Sequence, residues 1–403
     1  MASHEQSAAS IFDINLRTRP LALVMVVMFA TTMMGAPAAQ AQTFTTLHSF
    51  DGTDGSQPYA PLLPASNGNL YGTTTVGGAN NDGTVFEITT SGTLTTMHNF
   101  NRFNPTEGFE PYAGLTQARD GNLYGTTYGG GSHNSGTVFK ISTSGTLKLL
   151  GSLNYTLNGA NPYAGVVQAT NGSFYGTAAE GGGGEGSVYE VTPFGQLIEL
   201  YGFGPYGALP IAGLVQAGNR NFYGTAYEGG AYGCGTIFEI TPSGTFTLLH
   251  NFTGGDGCFP YAALVQGSDG NLYGTASAGG AHNGFNAGTF FNITPSGTFT
   301  LLHVFDRTDG AGPEGALVQA TDGNFYGTTY GGGAHSKGTI FKMTPSGTVT
   351  TLYSFCPQSG CFDGSSPVAG LVQASNGTFY GTTFSGGSEN DGTVFSLSVG
   401  LSR

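Results

Sequence analysis

Short apolar stretches alternate with turn residues along most of this chain, and the pattern repeats about every 50 residues. The triplet Tyr-Gly-Thr marks the repeat, since successive copies begin 48 to 54 residues apart. Seven copies are present, starting at Tyr71, Tyr124, Tyr175, Tyr223, Tyr273, Tyr326 and Tyr380. A fixed period of this length indicates an array of one supersecondary unit.

The sixth copy, residues 317–355, contains four apolar or β-branched runs that are each too short for a helix. We predict strands at residues 317–320, 324–330, 338–343 and 348–355, joined as an antiparallel meander. The turn at Asp322-Gly323 is predicted to be a type I′ hairpin, in which both central residues have positive φ. In the Pro345-Ser346-Gly347 turn, proline sets φ early and glycine takes the left-handed position.

The last unit lacks a fourth strand, because the chain ends at Arg403 soon after its third strand, residues 392–397. The missing segment is found near the N-terminus, where residues 43–50 (TFTTLHSF) match the fourth strand at 245–252 (TFTLLHNF). Pairing this segment into the last unit closes a ring and removes an exposed sheet edge. We therefore predict an all-β, seven-bladed β-propeller, with a β-solenoid or a sandwich as the alternatives.

The composition fits a turn-rich globular protein. The chain has 70 glycines and 9% charged residues, but 38% of its residues are hydrophobic and 12% aromatic. The regular apolar strands argue against disorder, which glycine of this density could otherwise indicate. We expect residues 42–403 to form a single domain, because the array of equal units is continuous.

Residues 1–41 are predicted to be a signal peptide. Arg17 and Arg19 precede an apolar run at residues 21–34, and Ala39-Gln40-Ala41 offers a cleavage site. A transmembrane anchor is the alternative, although the run is short for a bilayer span. We expect a secreted or periplasmic protein with no membrane span after processing.

The formal net charge of −13 disfavours nucleic acid as a partner, because nucleic-acid binding needs a basic surface. We expect a monomer. The four cysteines of an exported chain suggest two disulfides. Local pairing is predicted, Cys356 with Cys361 and Cys234 with Cys258, and a metal site is the alternative reading.

The repeated NFYGTTYGGG, GTVF or GTIF, and TPSGTxTxLHxF segments resemble the GloVer (Gloeo/Verruco) tandem-repeat family over residues 43–397. The glycine doublets after strand two are also similar to those of kelch blades, but kelch units usually contain a tryptophan and this chain has none. The resemblance implies an exported bacterial protein that often carries a C-terminal surface anchor. We recognise no such anchor here, and the family implies no established activity.

Residues that recur in every blade are expected to serve the architecture. One strand-one position is a glutamine in six blades and Pro64 in the first. We interpret these glutamines as forming hydrogen bonds to the backbone or between blades rather than lining the channel. The histidines of the fourth strands lie on an apolar face by their period of two, so we interpret them as hydrogen-bonded core residues rather than ligands. These positions are Gln117, Gln168, Gln216, Gln266, Gln319 and Gln373, and His48, His98, His250 and His303.

Functional candidates are sought where the copies differ, on the face formed by the strand-two-to-three loops and the inter-blade loops. Four tyrosines there follow a proline at the entry to strand one, and the sixth unit has Glu314 in their place. Glu180 and Glu228 replace small residues in consecutive blades. The predicted binding set is Tyr59, Tyr112, Tyr163, Tyr261, Glu180, Glu228 and Glu314.

This face also carries three loop histidines and eight further acidic residues. They are His133, His282 and His335, and Asp51, Asp54, Glu107, Glu110, Asp256, Asp306, Asp309 and Asp363. We expect no cofactor and no metal. The segments Asp51-Gly-Thr-Asp54-Gly and Asp306-Arg-Thr-Asp309-Gly suggest Ca²⁺ only weakly, because the twelve-residue pattern of a calcium loop is absent.

Three functions remain open. The first is a non-catalytic propeller that binds a glycan, a cell-wall component or a protein through the loop-rich face. The second is a secreted polysaccharide hydrolase or lyase that uses Glu180, Glu228 and Glu314, which requires these carboxylates to converge on one pocket with the tyrosines. A purely structural role at the cell surface is the third.

Overall fold

Seven four-stranded antiparallel sheets build the computed structural model of this chain. The structure describes residues 42–104, 106–204, 207–280 and 286–401, so the predicted signal peptide, residues 1–41, lies outside the described residues. The described residues form one compact unit. The described residues contain strands, turns and bends, and none of them forms a helix long and apolar enough to cross a membrane.

The strands are short, and most have two, five or six residues. In chain order they are β1 (Thr43–Ser49), β2 (Leu63–Pro64), β3 (Leu70–Thr74), β4 (Thr84–Ile88), β5 (Leu94–Asn99), β6 (Gly108–Phe109), β7 (Thr116–Gln117), β8 (Leu123–Thr127), β9 (Gly129–Gly130), β10 (Thr137–Ile141), β11 (Leu147–Ser152), β12 (Val167–Gln168), β13 (Phe174–Ala178), β14 (Ser187–Val191), β15 (Leu197–Gly202), β16 (Val215–Gln216), β17 (Phe222–Ala226), β18 (Thr236–Ile240), β19 (Phe246–Asn251), β20 (Val265–Gln266), β21 (Leu272–Ala276), β22 (Thr289–Ile293), β23 (Phe299–Val304), β24 (Val318–Gln319), β25 (Phe325–Thr329), β26 (Thr339–Met343), β27 (Val349–Ser354), β28 (Val372–Gln373), β29 (Phe379–Thr383) and β30 (Thr393–Ser398).

Each sheet is one blade, and the chain runs through it as a meander. Blade 1 is β2 to β5, blade 2 is β7, β8, β10 and β11, blade 3 is β12 to β15, blade 4 is β16 to β19, blade 5 is β20 to β23, blade 6 is β24 to β27, and blade 7 is β28, β29, β30 and β1. In blade 7, β1 pairs antiparallel with β30, and Thr43 lies opposite Ser398. The prediction that the N-terminal strand completes the last blade is confirmed.

The hydrophobic core lies between the blades. Seven clusters of buried side chains occur in the described chain, and each joins two neighbouring blades, including blades 7 and 1. The second strand of every blade is buried along its whole length, because both of its faces pack against other blades. The array is therefore a closed ring, and the predicted seven-bladed propeller is confirmed.

Each residue of the Tyr-Gly-Thr triplet holds neighbouring parts of the ring together. The Tyr175 ring packs against Phe222 of the next blade, with ring centroids 4.2 Å apart and the ring planes tilted by 31°. Gly224 leaves room for the ring of Phe238 on the following strand, since a Cβ at this glycine would lie 2.6 Å from that ring.

The threonine of each triplet bonds to the next blade. Its hydroxyl donates a hydrogen bond of 2.7 to 3.4 Å to a backbone carbonyl at the entry to that blade. The seven donors and acceptors are Thr73 to Ala113, Thr126 to Ala164, Thr177 to Ala212, Thr225 to Ala262, Thr275 to Pro313, Thr328 to Ala369, and Thr382 to Ala60.

The strand-one glutamines add a second set of bonds between blades. The side-chain oxygen of each accepts a backbone N–H of the preceding blade at 2.8 to 3.2 Å, as Gln117 does from Ser66. Its amide nitrogen donates to the turn of its own blade, as Gln117 does to Gly121. The predicted structural role of these glutamines is confirmed.

One predicted turn is wrong. The type I′ turn expected at Asp322-Gly323 needs two residues with positive φ, but only Gly323 has one, at 78°. Ala320 O accepts the N–H of Gly323, and the Asp322 carboxylate accepts the N–H of Asn324. Because the aspartate side chain caps the turn, Asp322 keeps an ordinary backbone and the glycine alone is left-handed. The Pro345-Ser346-Gly347 turn is as predicted, with φ of 93° at Gly347.

Both predicted disulfides are confirmed. Cys234 is bonded to Cys258 across 24 residues, and Cys356 to Cys361 across 5. The longer bridge ties the strand-two-to-three loop of blade 4 to the loop that leads into blade 5. Two disulfides are typical of proteins from oxidising compartments.

We predict that Tyr189→Phe stabilises the protein. The Tyr189 hydroxyl is fully buried and has no hydrogen-bond partner among the described residues, whereas the equivalent residue in the other blades is phenylalanine. Removing an unsatisfied buried hydroxyl should raise the free energy of unfolding by about 1 kcal/mol in urea denaturation. Tyr223→Phe is the matched control and should destabilise, because its hydroxyl donates to Glu239 at 2.8 Å. A loss of stability in Tyr189→Phe would contradict the account.

We also predict that the two disulfides contribute unequally. On the chain-entropy model the longer loop contributes about 3 kcal/mol and the shorter one about 2 kcal/mol. Replacing Cys234 and Cys258 together by alanine should therefore lower the denaturation midpoint more than replacing Cys356 and Cys361. An equal or larger effect of the second pair would show that loop length does not govern the difference.

Candidate functional site

The inter-blade loops and the strand-two-to-three loops meet on one face of the ring, as the sequence predicts. In every blade a short antiparallel bridge joins the two loops, for example Ala160 with Glu180 and Ala208 with Glu228. In blade 2 the bridge is extended to two residues, β6 paired with β9. We call this the loop-rich face.

Each inter-blade loop contains a residue in the left-handed conformation, two positions before a residue that lines the central channel. This residue precedes a proline and has φ between 52° and 64°: Gln57, Glu110, Asn161, Leu209, Phe259, Gly312 and Ser366. Its N–H donates to the preceding blade, and its carbonyl accepts from the end of strand two in its own blade, as Leu209 does with Glu185 and Tyr227. Two backbone bonds thus hold a conformation that is unfavourable for most residues.

The residue after each proline lies at the mouth of the central channel. The seven positions, in blade order, are Tyr59, Tyr112, Tyr163, Ile211, Tyr261, Glu314 and Val368. They border a cavity of about 350 Å³, whose wall is made mostly of alanine and glycine from the seven entries to strand one. We call it the axial cavity. Four of the seven predicted binding residues line it as tyrosines, and Glu314 is the fifth.

The four tyrosines are in contact with one another. The Tyr59 ring lies 5.3 Å from Tyr112, and the Tyr112 ring lies 5.1 Å from Tyr163. The hydroxyl groups of Tyr59 and Tyr261 are hydrogen-bonded across the channel. Burial raises the pKa of Tyr59 to about 12 and raises that of Tyr261 further, so both phenols are neutral at physiological pH.

A second group of aromatic residues, which the sequence analysis did not single out, supports the first. Tyr128 packs against Tyr112 and Tyr163, Tyr227 packs against Phe259 and Tyr261, and Phe384 packs against Tyr59. Tyr128, Tyr227 and Phe384 occupy one equivalent position, directly after strand two, where other blades have Thr75, Ala179, Ser277 and Tyr330. The variation at this position was the signal that could have identified them.

Glu314 differs from the exposed loop carboxylates because it is half-buried in the lining of the axial cavity, where no described residue forms a hydrogen bond or ion pair with its side chain. Desolvation in the axial cavity raises its pKa from 4.5 to about 7. Its backbone also departs from the pattern, since Thr275 bonds to Pro313, which precedes Glu314, whereas the other six acceptors follow the equivalent residue. Both the backbone hydrogen bond and the charged side chain at Glu314 therefore differ from those at the six equivalent positions.

The eight further acidic residues of the loop-rich face have structural partners. Asp54, Glu107, Asp256 and Asp309 pair with the strand-four histidines at 2.7 to 3.3 Å. Asp363 accepts from the Tyr353 hydroxyl, Glu110 pairs with Arg102, and Asp51 and Asp306 accept backbone N–H groups of their own loops. The predicted hydrogen-bonded role of His48, His98, His250 and His303 is confirmed.

Glu180 and Glu228 lie elsewhere. Their backbones form the loop bridges, their side chains are exposed, and neither lines the axial cavity. The convergence of Glu180, Glu228 and Glu314 that the hydrolase or lyase alternative requires is therefore not met at the axial cavity, which Glu314 alone of the three lines. The physical reason is their place in the loop. Each is the second residue after strand two, directly after the position occupied by Tyr128, Tyr227 and Phe384, and its side chain is exposed to solvent.

The loop histidines do not form a site in the described structure. His133 is close to Ser132, with Nδ1 and Oγ 2.9 Å apart, His335 is exposed, and His282 lies outside the described residues. Nowhere in the described part of the chain do three or more His, Cys, Asp or Glu side chains converge as a metal site would require. The absence of a cofactor, like the weak expectation of Ca²⁺, stays a prediction.

We predict that Glu314→Gln stabilises the protein at high pH. With a folded pKa of about 7 and an ordinary value of 4.5, the folded state holds a proton that the unfolded state has lost, so stability falls as pH rises between these values. The variant lacks this penalty and should unfold with a free energy higher by on the order of 1–3 kcal/mol at pH 8, but not at pH 4. Denaturant melts at both pH values measure the difference. Glu389→Gln, which removes an exposed carboxylate, should show no such dependence, and equal stability of wild type and Glu314→Gln at pH 8 would contradict the prediction.

Comparison with known proteins agrees with this architecture. Comparison with curated proteins gives no match. Two solved structures described as extracellular domains of hybrid two-component systems from B. thetaiotaomicron are similar to this chain. The first has 11% sequence identity and a TM-score of 0.58, and the match covers 89% of this chain and 40% of that chain. The second has 13% sequence identity and a TM-score of 0.55, and the match covers 88% of this chain and 41% of that chain. This chain thus spans about two fifths of the length of those domains. The periplasmic gluconolactonase of Pseudomonas aeruginosa shares 18% identity over 73% of this chain and 84% of its own, with a TM-score of 0.50.

At these identities the likeness to solved structures concerns the fold alone. The family model is more specific, because it describes the repeat itself. The model of the Gloeobacter/Verrucomicrobia repeat matches residues 36–220 and 144–319, which together make up more than half of the chain. The chain therefore belongs to the Gloeobacter/Verrucomicrobia repeat family.

Proposed function

We propose that this protein is exported and binds a saccharide in the axial cavity without chemically changing it. The observation that carries the proposal is the mouth of the cavity, which is bordered by Tyr59, Tyr112, Tyr163 and Tyr261 together with Glu314. Export is supported by the two disulfides and by the predicted signal peptide at residues 1–41.

Tyrosine suits a sugar because it offers an apolar ring face for the C–H surface of a pyranose and a hydroxyl for hydrogen bonding. The cavity of about 350 Å³ is at the lower end of the range for small-molecule sites, about 300–1,000 Å³, so it matches the end of a glycan rather than a folded protein. The channel wall beneath the tyrosines is backbone and small side chains, which leaves the space open.

Exposed aromatic residues on the surrounding loops would extend the contact to further sugar units. Phe103, Tyr155, Tyr232 and Phe362 lie on the loop-rich face, and each has more than half of its surface exposed. Single exposed aromatics are common on protein surfaces, but four on one face around a cavity favour an interaction surface.

The geometry favours binding over hydrolysis at this site. Glycoside hydrolysis commonly uses two carboxyl groups about 5 to 9.5 Å apart on either side of the scissile bond. The axial cavity is lined by one carboxyl group, that of Glu314, and Glu180 and Glu228 do not line it. A single carboxyl group can orient or select a ligand but does not supply the acid and base pair.

We predict that Tyr163→Ala weakens saccharide binding at least tenfold, because it removes one ring from the mouth of the cavity. A glycan array identifies the ligand, and isothermal titration calorimetry measures the dissociation constant. Phe194→Ala removes an exposed aromatic residue from the strand-three-to-four turn of blade 3, on the opposite face of the ring, and should change affinity less than threefold. The melting temperature of each variant separates loss of binding from loss of folding.

Two results would contradict the proposal. The first is the absence of any bound saccharide on an array of bacterial and plant glycans. The second is turnover of the bound glycan by the pure protein, detected as new reducing ends, because this would indicate an enzyme.

A further inference from the structure

The axial cavity has an unbalanced charge at its mouth. Of the seven residues that surround the mouth, Glu314 alone is ionisable near neutral pH, since the others are tyrosine, isoleucine and valine. No lysine, arginine or histidine is among the lining residues, so the carboxylate lacks a counterion when it is charged. A half-buried carboxylate without a partner is unfavourable, and an incoming cation would relieve that cost.

The groups around Glu314 are suited to a cation of a particular kind. Burial raises the pKa values of Tyr59, Tyr227 and Tyr261, and the charge of the nearby Glu314 raises them further. They therefore remain neutral phenols and present electron-rich rings. Aromatic faces attract organic ammonium groups electrostatically, and a neighbouring carboxylate adds a direct ion pair.

A hard metal ion suits this site poorly. Calcium takes six to eight oxygen ligands, whereas the cavity mouth offers one carboxyl group and phenols that stay protonated. The described residues contain no cluster of three metal-ligating side chains. An ammonium group needs no such cage, because one carboxylate and two or three aromatic rings satisfy it.

We propose that the axial cavity selects saccharides that carry an ammonium group, such as the free amine of a de-N-acetylated amino sugar, with Glu314 as the counterion and the tyrosines as the aromatic wall. The inference rests on the proposed saccharide binding and names the ligand class. The net charge of −13 would further favour the approach of a cationic glycan at low ionic strength.

Binding of such a ligand is coupled to the protonation of Glu314. The ion pair requires the carboxylate, so the ligand displaces the proton that the carboxyl group holds below about pH 7. Affinity should therefore rise as pH increases through this range. Because Tyr59, Tyr227 and Tyr261 stay neutral there, Glu314 is the group among them that titrates.

The test compares three β-1,4-linked tetramers by isothermal titration calorimetry: an N,N,N-trimethylated glucosamine tetramer, the N-acetylated glucosamine tetramer and the glucose tetramer. The trimethylated form carries a charge that does not titrate, so any pH dependence belongs to the protein. At pH 8 it should bind at least tenfold more tightly than either neutral tetramer, and this preference should shrink at pH 5.5.

The variant Glu314→Gln keeps the size of the side chain and removes its charge. It should lose at least tenfold in affinity for the trimethylated tetramer, which would then bind no better than the neutral ones at either pH. Glu389→Gln changes the net charge of the protein by the same amount, but it removes an exposed carboxylate outside the cavity, so this variant should retain the wild-type preference.

Each other outcome rejects part of the argument. Equal affinity of wild type for all three tetramers overturns the ammonium selectivity and leaves saccharide binding in place. A preference that persists in Glu314→Gln overturns the role of Glu314. If none of the tetramers binds and the glycan array is also empty, both this inference and the proposed function fail.

Discussion

The hydrogen bond from the threonine of each Tyr-Gly-Thr triplet to the next blade is the interaction on which the rest of the molecule depends. It joins the buried second strand of one blade to the entry of the following blade, and it recurs at all seven junctions. A four-stranded blade cannot bury both of its faces alone, so its core forms only against its neighbours. Fixing each junction in register therefore fixes the core, and β1 closes the last junction by completing blade 7.

The same bond determines where the candidate site lies. In six blades its acceptor directly follows the residue at the channel mouth, and the left-handed residue before the proline is held from both sides by backbone bonds. The axial cavity is thus a product of the architecture, and its chemistry depends on seven side chains at equivalent positions. Six of these side chains are aromatic or aliphatic. At the seventh, Glu314, both the threonine bond and the charge depart from the pattern.

Comparing the seven copies distinguished framework residues from candidate site residues only in part. It correctly assigned the glutamines and the strand-four histidines to the framework, because a residue that repeats in a ring serves every blade. It also selected the tyrosines and Glu314. It treated Glu180 and Glu228 as equal candidates, although their exposed bridge positions keep them out of the cavity. It overlooked Tyr128, Tyr227 and Phe384, whose position varies between copies and carries no motif.

The local signals in the chain were sufficient for the blades, the ring closure and the disulfides. Alternating apolar runs, turn residues and a repeat of about 50 residues are properties of neighbouring residues, so they can be read before the chain is folded. The shape of the Asp322-Gly323 turn and the neighbours of Glu314 depended on the tertiary structure. A side-chain cap decides the turn, and the ring geometry brings seven residues, separated along the chain by some 50 positions each, to one axis. The pKa of Glu314 follows from that convergence, because burial among tyrosines is a property of the assembled ring and of no single blade.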